Sequence, residues 1–214
     1  PTAALVKSTK IEDLTAFIRY FKVQLNKLGV ETRLGKQVDI SAIEKAGPDA
    51  VVLATGGTHP VLNIPGMERP NVLTAAGLHK NLKTWQRFLG PEVLGGLSKI
   101  WMPVKKKVVI IGGTMQGCEL AEFLTFRKRD VTILDTADQM GEGLGSERMS
   151  RLFAWFAIKG VGMVSGIRKY KEISDKGVAV IDADGKDKFI SADTVIISLP
   201  ILPDTEFLTQ LKRV

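Results

Sequence analysis

A chain of 214 residues, 44% hydrophobic and 25% charged, is long enough for one large domain or two small ones with a core that needs no disulfides, and it excludes a disordered protein. One cysteine, Cys118, rules out a disulfide framework, a Cys-x-x-Cys redox pair and a four-thiolate iron or zinc site within the chain, and two distant histidines, His59 and His79, leave little for a metal to bind. The 30 basic residues against 23 acidic ones, net +7, are compatible with a phosphate-bearing ligand or an acidic partner. The tightest clusters, Lys105-Lys106-Lys107 before an apolar strand and Arg127-Lys128-Arg129 at a helix end, read as solvated surface rather than a nucleic-acid footprint.

No apolar run reaches the roughly 18 to 20 residues of a membrane span, and no signal peptide opens the chain, so a cytoplasmic protein is expected. The start, Pro1-Thr2-Ala3 without methionine, points to a trimmed chain or a fragment of something longer.

From Glu12 to Leu28, apolar residues recur at three- and four-residue spacing (Leu14, Phe17, Ile18, Phe21, Leu25, Leu28), which predicts an amphipathic helix stopped by Gly29. A short strand is expected over Val30 to Leu34. After a polar stretch, the run Ala50 to Thr55, bounded by Pro48-Asp49 and Gly56-Gly57, predicts a strand buried on both faces. Thr58 to Pro70 carries three prolines and reads as extended loop. Between Leu78 and Pro103 helical spacing is broken by Gly90-Pro91 and Gly95-Gly96; the segment is either a helical connection or an apolar docking surface.

The pattern then becomes regular. Val108 to Ile111, Val131 to Leu134 and Val161 to Val164 read as buried strands, with helices over Met115 to Arg129 and Glu147 to Lys159 between them. This is an α/β fold with a doubly wound parallel sheet and right-handed crossovers. Three short alternating strands follow near Arg168 to Ile173, Val178 to Ile181 and Asp187 to Ile190, with turns at Asp175-Lys176-Gly177 and Asp184-Gly185, before Val195 to Ile197 returns as another buried strand.

The chemistry sits at the first crossover, Gly112-Gly113-Thr114-Met115-Gln116-Gly117. A strand running through glycines into a helix is the context of a dinucleotide fingerprint: Gly112 allows the tight turn, Gly117 lets helix and strand pack closely, and the free N–H groups of the helix start hold a pyrophosphate. Thr114 replaces the glycine through which the backbone normally approaches the phosphates, so it either weakens binding or donates a side-chain hydrogen bond instead. Asp135, 23 residues after Gly112 and followed by Thr136, stands where a carboxylate accepts from the adenine-ribose hydroxyls. Its charge repels a 2′-phosphate and no arginine follows before Arg148, so NAD(H) is preferred over NADP(H). The competing view is an empty Rossmann-like unit whose glycines serve packing only.

Ala54-Thr55-Gly56-Gly57, Ile64-Pro65-Gly66 and Asn71-Val72-Leu73-Thr74, with the helix end Gln24 to Val30 and the strand entry Ser191 to Ile196, resemble the stretch that links the FAD and NAD domains of two-dinucleotide-binding-domain flavoproteins. The resemblance covers nearly the whole chain. It is closest to the C-terminal half of old-yellow-enzyme-like reductases of the 2,4-dienoyl-CoA reductase and 2-enoate reductase group. It implies an FAD-binding and NAD(P)H-accepting half, joined in the full-length protein to an N-terminal barrel carrying FMN and a 4Fe-4S cluster. Electrons would then pass from nicotinamide to FAD, through the cluster to FMN, and to an activated C=C bond. By the same resemblance residues 1–75 are a partial FAD-type segment, 76–104 a helical connection, 105–199 the NAD(P)-binding domain and 200–214 the return to the FAD-type domain.

Glu119 matches a family carboxylate near the nicotinamide, or is simply an acid in the first turn of its helix. Ala54, Thr55 and Gly56 match a turn that passes near the FAD. Ser198-Leu199-Pro200 departs from the family's Ala-hydrophobic-Gly beside flavin and nicotinamide; through Leu199 and Pro200 this segment still borders the expected site, but proline removes an N–H donor. The family's first FAD fingerprint would precede Pro1 and its ribityl-binding motif would follow Val214. The expectation is therefore an intact NAD-type domain, an incomplete FAD domain and no turnover by this chain alone. No catalytic side chain is assigned. Cys118, in the first turn of a helix but on its buried face, is not expected to be redox-active. Two functions stay open, the nucleotide-binding part of a multi-cofactor flavoprotein reductase and a non-catalytic scaffold with a degenerate site, and so does a homo-oligomer.

Overall fold

Apolar alternation in the second half of the chain builds a sheet with two buried faces. A computed structural model of the chain describes residues 14–78 and 104–211. These fall into two compact units, one containing Val61–Pro200 and the other Ile11–Pro60 with Ile201–Val214.

In the larger unit a five-stranded parallel sheet runs in the order β2-β9-β3-β4-β5, from β2 (Val72–Thr74), β3 (Lys107–Ile111), β4 (Asp130–Leu134), β5 (Gly162–Val164) and β9 (Thr194–Ile197). Between them lie α3 (Met115–Phe126), α4 (Ser146–Lys159) and an antiparallel three-stranded sheet of β6 (Lys169–Ser174), β7 (Gly177–Ile181) and β8 (Asp187–Ser191). The expected α/β doubly wound fold with its three-stranded crossover is thus observed.

The period of two along each strand divides the core. Val108, Ile110, Ile133 and Ile196 pack with Cys118, Ala121 and Leu124 of α3 and Phe156 of α4. Val109, Ile111, Leu134, Val195 and Ile197 pack with Ile173, Val178 and Val180 of the three-stranded sheet. Each fully buried aliphatic side chain of this kind stabilises the fold by roughly 1.5–3 kcal/mol. The chain moves outward from β3 through β4 to β5 and then returns to add β9 on the other flank. The order therefore reverses at β3, and in open sheets of this type the ligand crevice lies at the carboxyl ends of the strands where that happens.

Helix α3 ends three residues earlier than its pattern predicts. Lys128 takes a left-handed φ of 59° and the Arg129 N–H reaches back to the Leu124 carbonyl at 3.1 Å, closing the helix as glycine commonly does. The basic cluster here is not the solvated face expected from its sequence. Arg127 is buried, its guanidinium 3.5 Å from the centroid of the Phe123 ring and its Nη1 donating to the Phe123 carbonyl at 3.1 Å. Arg129 Nε donates to the Val104 carbonyl at 3.1 Å. A planar cation can stack on an aromatic face while its N–H groups serve helix-end carbonyls, which offsets part of the cost of burial. Burial, aided by the neighbouring Arg129 charge, still pulls Arg127 down to about 10.

The smaller unit contains α1 (Leu14–Lys27), α2 (Ile40–Ala46), α5 (Glu206–Leu211) and the antiparallel pair β1 (Gly57–Thr58) and β10 (Leu202–Pro203). Helix α1 matches its periodicity, but Phe17, Ile18, Phe21 and Leu25 all remain exposed. Helix α2, not foreseen, is capped by Asp39, which accepts from the Ala42 N–H at 2.8 Å, and closed by Gly47 at φ 55°.

Two expected strands are absent. Val30 to Leu34 and Ala50 to Thr55 form no ladder, and Val52 is 90% exposed. Their apolar runs suit a buried strand, but a strand needs neighbouring backbone groups, and none pairs with them among the described residues. The segment 79–103, read as a helical connection or docking surface, lies outside the described residues.

Candidate dinucleotide-binding site

The carboxyl ends of β3, β4 and β9 bring the fingerprint and the acidic residue together. Gly112 leaves β3 with φ 116°, a conformation that disfavours any side chain, and a Cβ there would collide with the Ser198 carbonyl. A Cβ on Gly117 would collide with the Gly112 carbonyl oxygen, so helix α3 approaches the strand end as closely as only glycine allows. Thr114 caps the helix in extended conformation, yet its hydroxyl makes no cap hydrogen bond and donates instead to Gln116 Oε1 at 2.9 Å.

The Asp135 carboxylate turns toward this loop. Its Oδ2 accepts from the Gly113 N–H in a short hydrogen bond, and its Oδ1 accepts from the Ala137 N–H at 2.8 Å. Thr136 beside it is exposed. A carboxylate anchored at the glycine turn and only half-buried is placed to accept further hydrogen bonds from sugar hydroxyls.

Sequence reasoning did not foresee what covers the turn. The loop after β4 folds back over the helix start: Gly141 N–H donates to the Gly113 carbonyl and Met115 N–H to the Glu142 carbonyl, both at 2.7 Å. Met140 is buried against Gly113, whose added Cβ would lie 2.8 Å from Met140 Cγ. Among the described residues the N–H groups of Thr114, Gln116 and Gly117 keep no acceptor, which leaves them able to donate to an anion. The one advance sign was the glycine pair Gly141 and Gly143, both at positive φ in a loop that must turn sharply.

Glu119 is the fifth residue of α3, past its first turn, which corrects its reading as a first-turn acid. It is half-exposed and paired with Arg148 of α4 at 3.4 Å, an arginine that Glu122 shares at 3.3 Å. Burial raises the Glu122 carboxyl above its usual range; the Arg148 charge opposes this and the Glu119 charge adds to it.

Cys118 is fully buried, with Sγ 3.3 Å from the Gly113 carbonyl. Burial first, then the charges of Asp135 and Glu119, push its thiol up to about 11, so the helix start does not activate it. Tyr170, on β6, packs against the core cluster that contains Ile111 and Leu134. Burial and the nearby Asp135 charge raise its phenol well above the usual range.

Leu199 packs beneath the end of β9 and Pro200, exposed, closes the larger unit. Ala54, Thr55 and Gly56 belong to the other unit and are exposed there; Gly56 has φ 83° and its carbonyl accepts from the Asp204 N–H at 3.5 Å. A cavity of about 430 Å³ opens at the amino-terminal edge of the parallel sheet, among Arg69, Asn71, Lys105, Asp175, Asp193 and Thr194. Its mixed charges and its place at the opposite end of the strands separate it from the glycine turn. Among the described residues no three His, Cys, Asp or Glu side chains gather as metal ligands, and no helix is long and apolar enough to cross a membrane.

The chain is 30% identical over 185 residues to an NADH oxidase of Thermoanaerobacter brockii, covering 86% of this chain and 26% of that protein. It is 24% identical over 204 residues to a cinnamate reductase of Clostridium sporogenes, covering 94% and 27%. Among solved structures, a 2-naphthoyl-CoA reductase in complex with 2-naphthoyl-CoA shares its fold, with a TM-score of 0.70, 24% identity, and coverage of 98% of this chain and 29% of that one. The chain thus spans between a quarter and a third of the length of these relatives. The family model of the pyridine nucleotide-disulphide oxidoreductases matches residues 19–213. With the parallel sheet, the glycine turn and that match together, the chain belongs to the pyridine nucleotide-disulphide oxidoreductase family, whose domains bind FAD and NAD(P).

Proposed function

We propose that this chain is the pyridine-nucleotide-binding part of a multi-cofactor flavoprotein reductase of the old-yellow-enzyme-like group, and that it binds NADH in preference to NADPH. The observation that carries the reading is the Asp135 carboxylate hydrogen-bonded to the Gly113 N–H at the carboxyl ends of β3 and β4.

The residues fit the nucleotide. Thr114, Gln116 and Gly117 offer N–H groups to the pyrophosphate, Asp135 offers acceptors to the ribose, and its negative charge disfavours a 2′-phosphate. Bound NADH would supply a hydride, and this chain's part is to hold and orient it. The residues present do not fit the remaining groups. Ala54 to Gly56 are exposed in their own unit and offer a flavin no buried contact among the described residues, and a single buried cysteine cannot hold an iron–sulfur cluster.

On this proposal FAD is bound by the full-length protein, with FMN and 4Fe-4S in an N-terminal barrel that reduces an activated C=C bond in the cytoplasm. The name of the cinnamate reductase relative supports such a substrate class. A homo-oligomer remains compatible with this arrangement.

A second reading, a scaffold with a degenerate site, is favoured by the Met115 N–H already bonded to Glu142 and by Met140 seated on Gly113. Thermal unfolding with NADH, NADPH and ADP separates the two. At millimolar ligand and a Kd of tens of micromolar, binding adds about 2 to 3 kcal/mol and raises Tm by several degrees. No shift with any of the three would leave the scaffold reading.

A further inference from the structure

The cavity of about 430 Å³ at the amino-terminal edge of the parallel sheet stands apart from the glycine turn, and two residues on its wall carry buried polar atoms without partners, Nε of Arg69 and Oδ1 of Asn71. Buried polar groups in folded proteins are generally paired, so an unpaired donor and an unpaired acceptor two residues apart point to something that joins them. Their states follow from the contacts around them. Asn71 Nδ2 donates to the Ser174 carbonyl at 2.9 Å, which fixes the amide and leaves Oδ1 as the free acceptor. Arg69 Nη2 lies 3.8 Å from Glu172 Oε1, too far for a hydrogen bond, and Nε keeps its proton unshared.

Backbone contacts hold the rest of the wall in place. The Lys105 N–H donates to Thr194 Oγ1 at 3.1 Å, and Asp193 Oδ2 accepts from the Lys107 N–H at 3.0 Å. The Lys105 ammonium and the Asp175 carboxylate, both exposed, make no hydrogen bond or ion pair among the described residues. The Arg69 side chain is itself 40% exposed, so the cavity is reached from solvent without opening the core.

These charges select the ligand. Two cations, Arg69 and Lys105, and two carboxylates, Asp175 and Asp193, border one opening. A bare anion is repelled by the carboxylates and a bare cation by the basic side chains, whereas a molecule carrying both charges meets a partner for each. Pro70 and Leu73 add an apolar stretch to the same wall. We propose that this cavity binds an aliphatic α-amino acid. Its carboxylate pairs with the Arg69 guanidinium, its ammonium donates to Asn71 Oδ1 and the Asp175 carboxylate, and its side chain lies against Pro70 and Leu73. The site is independent of nucleotide binding at the other end of the strands.

The test is calorimetric titration of the full chain with L-leucine, acetate and isobutylamine, repeated on Arg69→Gln and Asp175→Asn, with thermal unfolding of all three proteins without ligand. L-Leucine should bind saturably, and acetate and isobutylamine, each lacking one of the two charges, about tenfold more weakly. Arg69→Gln should weaken L-leucine by about tenfold, the loss of a charge-assisted hydrogen bond. Asp175→Asn should weaken it by about threefold, since an exposed ion pair contributes less. Asp175 lies on an exposed turn, so its variant carries the test if Arg69→Gln does not fold. Absence of saturable L-leucine binding overturns the proposal and leaves solvent as the bridge between Arg69 and Asn71. Acetate or isobutylamine binding as tightly as L-leucine, or unchanged L-leucine affinity in a folded variant, overturns it as well.

Discussion

Replacing Gly117 by alanine sets two effects of opposite sign against each other. Glycine inside a helix costs about 1 kcal/mol relative to alanine, so propensity alone predicts that Gly117→Ala stabilises the protein. The structure predicts the reverse. The new Cβ would overlap the Gly112 carbonyl oxygen, a backbone atom fixed by its place between β3 and the helix, with the Gly112 N–H bonded to Leu134 at 2.8 Å. Overpacking typically costs 1–3 kcal/mol, and about 3 is appropriate where the obstacle is main chain rather than a flexible side chain. The net is a destabilisation of about 2 kcal/mol, or roughly 4–8 °C in Tm for a domain of this size. Circular dichroism during heating reads the stability, and a titration with NADH reads the site. Both should fall, because relief of the overlap displaces the turn proposed to face the phosphates. A variant as stable as the original, or more so, would refute the close helix–strand approach on which the site is built.

The Cys118 thiol, held at about 11, should react with iodoacetamide at pH 8 at least tenfold more slowly than a free cysteine, and fully once the protein is unfolded; rapid labelling of native protein would contradict its burial. Tyr170 has a folded-state pKa raised above its unfolded value, so its contribution to stability is complete below about pH 10 and is lost as pH climbs beyond that. Absorbance at an ultraviolet wavelength specific for phenolate, compared with Tyr170→Phe, should show this residue ionising only well above pH 10, and ionisation near 10 would rule out its packed position.

The large unit was legible because its strands are unbroken Val and Ile runs with glycines at their ends, a pattern set by burial on both faces. The turn glycines likewise announced the three-stranded sheet, with Gly177 at φ 149° and Gly185 at φ 82°. Shorter elements escaped: β2 has three residues and α2 seven, too few for a period to register. Ala50 to Thr55 carries the composition of a buried strand, but composition cannot supply the neighbour that a strand requires. The charge of Arg127 speaks for solvent in the sequence, whereas the Phe123 ring one helical turn away accommodates it inside.

At the site, Gly112, Gly117 and Asp135 followed from spacing and local chemistry. Met140 and the Glu142 carbonyl did not, since a loop folding back over a helix start is a tertiary event with no local signature beyond its glycines. Ser198 was visible as a departure from a pattern, but the lack of a partner for its buried hydroxyl depends on what surrounds it in three dimensions.

The central claim is that the Asp135 carboxylate faces the ribose of a bound NADH. Titration calorimetry of NADH and NADPH against the original chain and Asp135→Asn addresses it most directly, because the amide keeps an acceptor for the Gly113 N–H while removing the charge. The account predicts tighter binding of NADH by the original chain and a preference that shrinks by about tenfold in the variant, equivalent to about 1.4 kcal/mol. An unchanged NADH-to-NADPH ratio, or binding of neither nucleotide by the original chain, would contradict it.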